Sequence, residues 1–147
     1  MRPSYGDDVD HASAQAWLDR YVAAWRSYDA DEIGDLFSDD VRYRFYSYAE
    51  WIVGRDAVVA SWTGEDTDDE AHSSTRDDPG TYDAHYEPVA VDGDVVVATG
   101  TTRYTETPGG PVTRTFDNCF VMRFDEHDRC REFTEYYTKR PGSSGGA

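Results

Sequence analysis

Near the C-terminal end of the chain Phe133, Glu135 and Tyr137 share one side of an extended segment, since alternate side chains of a strand point the same way. A carboxylate between two aromatic rings either faces water at a sheet edge or stands in a poorly hydrated hollow. In a hollow its pKa rises toward neutrality, which suits a general acid or base. Upstream, Phe116, Asn118, Phe120, Met122 and Phe124 form an apolar face interrupted by one amide, with Thr115, Asp117, Cys119, Val121 and Arg123 opposite. A buried amide without partners costs on the order of 1–3 kcal/mol, so Asn118 either bonds neighbouring backbone or is aimed at a ligand. Thr101, Arg103 and Thr105 alternate with Thr102, Tyr104 and Glu106. Arg103 is within reach of a carboxylate on an adjoining strand, and as a surface ion pair it would contribute at most ~1 kcal/mol.

Other chemistry is poorly represented. His85 is a second candidate catalytic group, but its segment is mixed on both faces and the pattern assigns it no side. His11, His72 and His127 fall at an end, in a loop and in a turn, without metal-ligand spacing, so no metal is expected. Cys119 and Cys130 lack the C-x-x-C spacing and read as two free, structural thiols of a cytoplasmic protein. No glycine-rich nucleotide or phosphate motif is present, so no organic cofactor is expected either.

The elements that would position these groups follow from periodicity. Trp17, Tyr21, Trp25 and Tyr28 recur every three or four residues and predict a helix over residues 11–28. Asp29 opens a second, shorter helix, with Glu32 placed as in a capping box and Ile33, Leu36 and Phe37 on its buried side; Asp39 and Asp40 end it. Residues 41–48 alternate as a strand, with Val41, Tyr43 and Phe45 on one face and Arg42, Arg44 and Tyr46 on the other. Residues 54–62 predict a third helix. Residues 64–80, acidic and almost without apolar side chains, predict a mobile loop. Then come strands over 82–91 and 95–106 about an Asp92-Gly93 turn, over 112–125, and over 129–139. Helices gathered before strands indicate an α+β layer fold in a single domain, residues 12–140, between a frayed segment 1–11 and a flexible tail 141–147.

The 147 residues suffice for one core. Acidic residues number 30 against 14 basic, a formal charge of −16, while 4 Trp, 11 Tyr and 6 Phe supply the buried area that 38% hydrophobic content would otherwise leave short. Such a surface disfavours nucleic acid, which needs clustered bases. A high-salt habitat and a GC-rich genome would both produce this composition. No apolar run approaches the roughly 20 residues of a membrane span, and residues 1–10 lack the apolar stretch of a secretory signal.

With this order of elements, the segments Trp17-Leu-Asp-Arg-Tyr-Val-Ala-Ala-Trp25, Val53-Gly-Arg-Asp-Ala-Val58 and Cys130-Arg-Glu-Phe-Thr-Glu-Tyr-Tyr137 give the chain a resemblance to the nuclear transport factor 2-like superfamily, in its SnoaL-like branch, over residues 12–140. The resemblance implies a cone-shaped, curved mixed or antiparallel sheet around a hydrophobic pocket, packed with three N-terminal helices and paired into homodimers through its outer surface. Ketosteroid isomerase, polyketide cyclases, scytalone dehydratase and limonene epoxide hydrolase share this fold with proteins that only bind or transport, and those enzymes work without metal or organic cofactor. Against the limonene epoxide hydrolase pattern, Tyr43-Arg44-Phe45 stands where that family has Tyr-x-Asn, and Arg103-Tyr104-Thr105 where it has Arg-x-Asp. Its second acid matches Glu135. Two-carboxylate epoxide hydrolysis is therefore not expected.

If the cone forms, it implies that Glu135, Arg103, Tyr43 and Asn118 meet in one cavity lined by Tyr21, Trp25, Phe45, Trp62, Thr105, Phe116, Phe120 and Tyr137. Glu135 would be the general acid or base, Tyr43 and Asn118 hydrogen-bond donors to a developing oxyanion, and Arg103 an orienting group for the carboxylate. Isomerisation, cyclisation or dehydration of a small hydrophobic carbonyl compound fits such a cluster. The alternative is a non-catalytic module that binds a small molecule or dimerises.

Overall fold

A computed structural model describes residues 9–64 and 77–141. Helix α1 (His11–Ser27) starts at a reciprocal cap, in which Asp10 Oδ1 accepts from the Ser13 amide at 2.8 Å and Ser13 Oγ accepts from the Asp10 amide at 3.2 Å. It ends where Tyr28 turns left-handed at φ 50°. Val9, expected in a frayed segment, is instead buried, and its amide bonds to the Gly93 carbonyl. The short helix α2 (Ala30–Gly34) is capped by Asp29 as expected, but Glu32 does not close the box; its carboxylate accepts from Ser27 Oγ at 2.6 Å.

Strand β1 (Phe37–Arg44) begins four residues before the expected strand. Leu36 and Phe37 leave the helix because the Leu36 carbonyl is taken by the indole N–H of Trp17 at 2.9 Å and the amide of Cys130 at 2.8 Å. That draws the chain alongside β6. A two-residue strand, β2 (Ile52–Val53), precedes α3 (Arg55–Thr63). Then follow β3 (Tyr82–Asp92), β4 (Val95–Thr105), β5 (Val112–Phe124) and β6 (Cys130–Lys139). Asp92 pairs with Val95, so the β3–β4 turn centres on Gly93 and Asp94, one residue later than Asp92-Gly93; Gly93 supplies φ 62°. Most of the acidic segment 64–80, expected to be mobile, lies outside the described residues.

The six strands form one sheet in the order β2-β1-β6-β5-β4-β3. All neighbours are antiparallel except β1 and β6, which run parallel with Tyr43 opposite Phe133. The fold is α+β, with a mixed, curved sheet that does not close. Gly100, on β4, allows part of that curvature. A Cβ there would lie 2.1 Å from the His85 carbonyl oxygen and 2.4 Å from the Tyr86 ring, so only glycine lets β3 close in at this point. Among the described residues no helix is long and apolar enough to cross a membrane.

One end of the curved sheet is packed solid and the other is left open. On the inner face of β5, Phe124, Met122 and Phe120 are fully buried; further along come Asn118 and then Phe116, which is only half-buried. On β6 the same gradient runs from buried Phe133 through Glu135 to exposed Tyr137. Helix α1 follows it. Trp17 meets Phe37 and Phe124 edge-on in the solid half, Tyr21 stacks on Phe133 at the boundary, and Trp25 reaches the open half. Three-to-four-residue spacing on the helix thus matches two-residue spacing on the strands.

Candidate functional site

The open half is a cavity of about 380 Å³. A chain of hydrogen bonds crosses its wall, taking one residue from each of four adjacent strands. The Tyr86 hydroxyl lies 2.7 Å from Thr102 Oγ1, Thr102 Oγ1 donates to Asn118 Oδ1 at 2.9 Å, and Asn118 Nδ2 donates to Glu135 Oε2 at 2.9 Å. Since the Thr102 proton is committed to Asn118, Tyr86 is the donor to Thr102. Burial pushes the Tyr86 phenol well above its usual pKa and keeps it protonated for that task. The amide of Asn118 is thereby fixed, carbonyl toward Thr102 and N–H toward the carboxylate.

Glu135 feels two opposed influences. Loss of hydration among the aromatic walls raises its pKa, and the Asn118 hydrogen bond lowers it; burial dominates, and the group is pushed up to about 7. Such a carboxyl exchanges its proton readily near neutral pH.

Two residues of the lining carry buried polar atoms. The Tyr43 hydroxyl and the Trp62 indole N–H make no hydrogen bond to a described residue. The two groups lie close together, and both the Trp62 N–H and the Tyr21 hydroxyl act to lower the Tyr43 pKa against burial; what they lack is a well-aligned acceptor, which for a buried donor costs about 1–3 kcal/mol. The Tyr43 ring is fixed by stacking on Phe133 at 4.6 Å, and burial together with the nearby Glu135 charge holds its phenol protonated.

The mouth is aromatic and charged. Trp25 stacks on Tyr82 at 4.4 Å, and Asp77 Oδ2 accepts from Trp25 Nε1 at 3.2 Å and from the Tyr28 hydroxyl at 3.4 Å. Across from it the Arg114 guanidinium lies over the Tyr104 ring at 4.4 Å. Tyr46 and Tyr137 meet at 5.7 Å on the remaining side.

Of the residues singled out from sequence, Glu135, Tyr43, Asn118, Tyr21, Trp25, Phe45, Trp62, Phe116 and Tyr137 line this cavity. Phe120 does not; it lies beneath the floor, against Tyr21, Tyr86 and Phe133. Thr105 is turned away, its hydroxyl bonded to the Thr107 carbonyl. Arg103 requires correction. It is exposed on the opposite face of β4, in a shallow polar hollow with Asp83 and His85, and does not reach Glu135. His85, also on that outer side, pairs with Glu87 at 2.9 Å. Thr102, on the face of β4 opposite Arg103, is the residue that joins the chain leading to Glu135. Tyr46 belongs to the lining because β1 stops at Arg44 and its alternation ends there. Tyr28, Tyr86, Tyr104, Asp77 and Arg114 were not anticipated. Continuing the Phe116, Asn118 alternation by one step would have found Arg114.

A family model described as the SnoaL-like domain matches residues 18–133. Over 62 residues, 40% of this chain, the sequence is 36% identical to the ECF RNA polymerase sigma factor SigG of Mycobacterium tuberculosis, and the match spans only 17% of that protein's length. Three solved structures share the fold. A candidate ketosteroid isomerase from Kribbella flavida superposes with a TM-score of 0.60 at 14% identity, covering 94% of this chain and 90% of that one. An M. tuberculosis LEH-like epoxide hydrolase gives 0.57 at 16% identity over 87% and 84%. An NTF-2 like protein of unknown function from Burkholderia xenovorans gives 0.58 at 16% identity over 86% and 84%.

Proposed function

The chain belongs to the SnoaL-like domain family, and from that premise we propose that its cavity is the site of a cofactor-independent enzyme acting by general acid–base catalysis on a small hydrophobic carbonyl compound. One observation carries the reading: a carboxylate poised near neutrality lies in an aromatic cavity whose lining includes Tyr43 and Trp62, each with a buried donor that makes no hydrogen bond to a described residue. Glu135 takes a proton from the carbon next to the substrate carbonyl, and the Tyr43 and Trp62 donors receive the negative charge that develops on its oxygen. Asn118 gives one Nδ2 proton to Glu135 and so positions the carboxylate, which leaves its second N–H for the expected bond to that oxygen. With that proton now on Glu135, its return to a second carbon gives isomerisation, attack of the enolate on a second carbonyl with protonation of the resulting alkoxide gives cyclisation, and its transfer to a β-hydroxyl that leaves as water gives dehydration. All three use the same groups.

The test is Glu135→Gln, assayed on a panel of hydrophobic ketones. Lost turnover with retained affinity supports the reading. Turnover equal to wild type overturns it.

A second reading, a ligand-binding module without chemistry, is favoured by one finding: the stretch of similar sequence occurs in an ECF RNA polymerase sigma factor. Under that reading Glu135 and the Tyr43 and Trp62 donors fix ligand orientation, and wild type turns over no member of the panel. Pairing of two copies belongs to the proposal as well. Val121 and Tyr136 are exposed on β5 and β6, away from the cavity, and sedimentation or light scattering distinguishes one copy from two.

A further inference from the structure

We propose that Arg114 selects substrates carrying a carboxylate, so that the ligand of this cavity is a hydrophobic keto acid whose acidic end lies at the mouth and whose carbonyl end reaches Glu135. The inference rests on the reading of the cavity as a ligand site but does not require turnover. Arg114 is the one cation among the described residues lining the cavity. It stands on the inner face of β5, two alternations before Asn118, opposite Tyr104 on β4. Its guanidinium lies over the Tyr104 ring at 4.4 Å and 6.0 Å from the Phe116 ring centre. Contact with these rings leaves the fork of N–H donors, which matches a carboxylate in two parallel bonds, without a hydrogen-bond partner among the described residues.

No ion pair joins Arg114 to a carboxylate among the described residues, although the protein carries a large excess of acid. Asp77 is the other charged group of the mouth; the Arg114 charge lowers its pKa against the rise from burial, but its Oδ2 accepts from Trp25 and Tyr28 and not from the guanidinium. A single cation facing a cavity that already holds two carboxylates suits a monoanion better than a phosphate dianion. The spacing gives the ligand a length. At about 3.3 Å per residue, Arg114 and Asn118 are ~13 Å apart along the strand, with Phe116 between them as an apolar floor. A rigid molecule with its acid and its ketone at opposite ends, and rings between, fits that line.

The experiment compares 4-(4-oxocyclohexyl)benzoic acid with its methyl ester, following binding through the fluorescence of Trp25 and Trp62, both in the lining. Wild type is expected to bind the acid about tenfold or more tightly than the ester, the difference between a charge-assisted and a neutral pair of hydrogen bonds. Arg114→Met, which keeps the stem over the ring, should bring the ratio to about one. Arg114→Lys, which keeps the charge and loses the fork, should retain only part of it. Should Arg114→Met not fold, Arg114→Gln serves in its place. Glu135→Gln should leave the acid preference intact whether or not it abolishes turnover, which separates this proposal from the catalytic one. Equal affinity of wild type for acid and ester, or a preference that survives in Arg114→Met, overturns it.

Discussion

Asn118 donates through Nδ2 to Glu135 Oε2 at 2.9 Å while its carbonyl oxygen accepts from Thr102, so the amide is locked with its N–H toward the acid. This hydrogen bond opposes the effect of burial on the Glu135 carboxyl. Asn118→Ala removes it and should carry the pKa of Glu135 upward from about 7, with the low-pH limb of kcat/KM moving the same way. Carbon-detected NMR titration of the carboxyl reads the shift directly. A limb that stays in place would mean that Asn118 does not tune the acid.

The Glu135 pKa also makes a prediction about stability. Its value of about 7 lies above the ordinary 4.5, so from pH 4.5 to 7 the native state holds more protons than the unfolded chain. Stability therefore falls across that window as pH rises, by up to about 3 kcal/mol for this one group, and the loss stays constant above pH 7. Glu135→Gln removes it. Urea unfolding at pH 8 should show the variant more stable than wild type by a few kcal/mol, with the gap narrowing toward pH 5. Catalysis moves oppositely: a base must be ionised, so wild-type kcat/KM should rise through about pH 7 to a plateau.

Alternation made the inner faces of β5 and β6 legible in the sequence, because a two-residue period survives as long as a strand does not bulge. Alternation sets Glu135 and Asn118 on one face of their strands and leaves open whether that face looks to water; the resemblance supplies the inward direction. On β4 both faces carry threonines with one arginine or one tyrosine, so polarity did not distinguish them and the conspicuous Arg103 drew notice to the outer side. Thr102, which joins the polar chain, is as unremarkable in sequence as Thr101. The start of β1 was hidden for another reason: Leu36 and Phe37 continue the helical spacing of Ile33, and only their pairing with Trp17 and Cys130 converts them to extended chain. Tyr86 and Arg114 became site residues through curvature, which brings β3 and the start of β5 round to the cavity. No local pattern encodes that curvature apart from Gly100.

Gly100→Ala tests how far the curvature depends on this glycine. The added methyl would sit 2.1 Å from the His85 carbonyl oxygen, a backbone atom that no side-chain rotation can move. The strands must separate, and the loss should be about 3 kcal/mol or more, at the upper end of overpacking costs. Urea unfolding measures it. The Tyr86–Thr102 hydrogen bond should weaken in the same variant, and Glu135 with it, so kcat should fall even under conditions where the protein remains folded.

Tyr43→Phe separates a structural role for the phenol from a chemical one. The hydroxyl is buried and makes no hydrogen bond to a described residue, so deleting it removes an unsatisfied donor from a ring that stays stacked on Phe133. Stability should hold or rise by about 1 kcal/mol. If the hydroxyl receives charge from the substrate oxygen, the same variant should lose about 10²-fold in kcat with little change in KM, the scale seen when one oxyanion donor is removed. Trp62→Phe should repeat the pattern, complicated by the smaller ring. A Tyr43→Phe protein that is less stable than wild type and equally active would show that the hydroxyl has a partner in solution and that the charge is stabilised elsewhere.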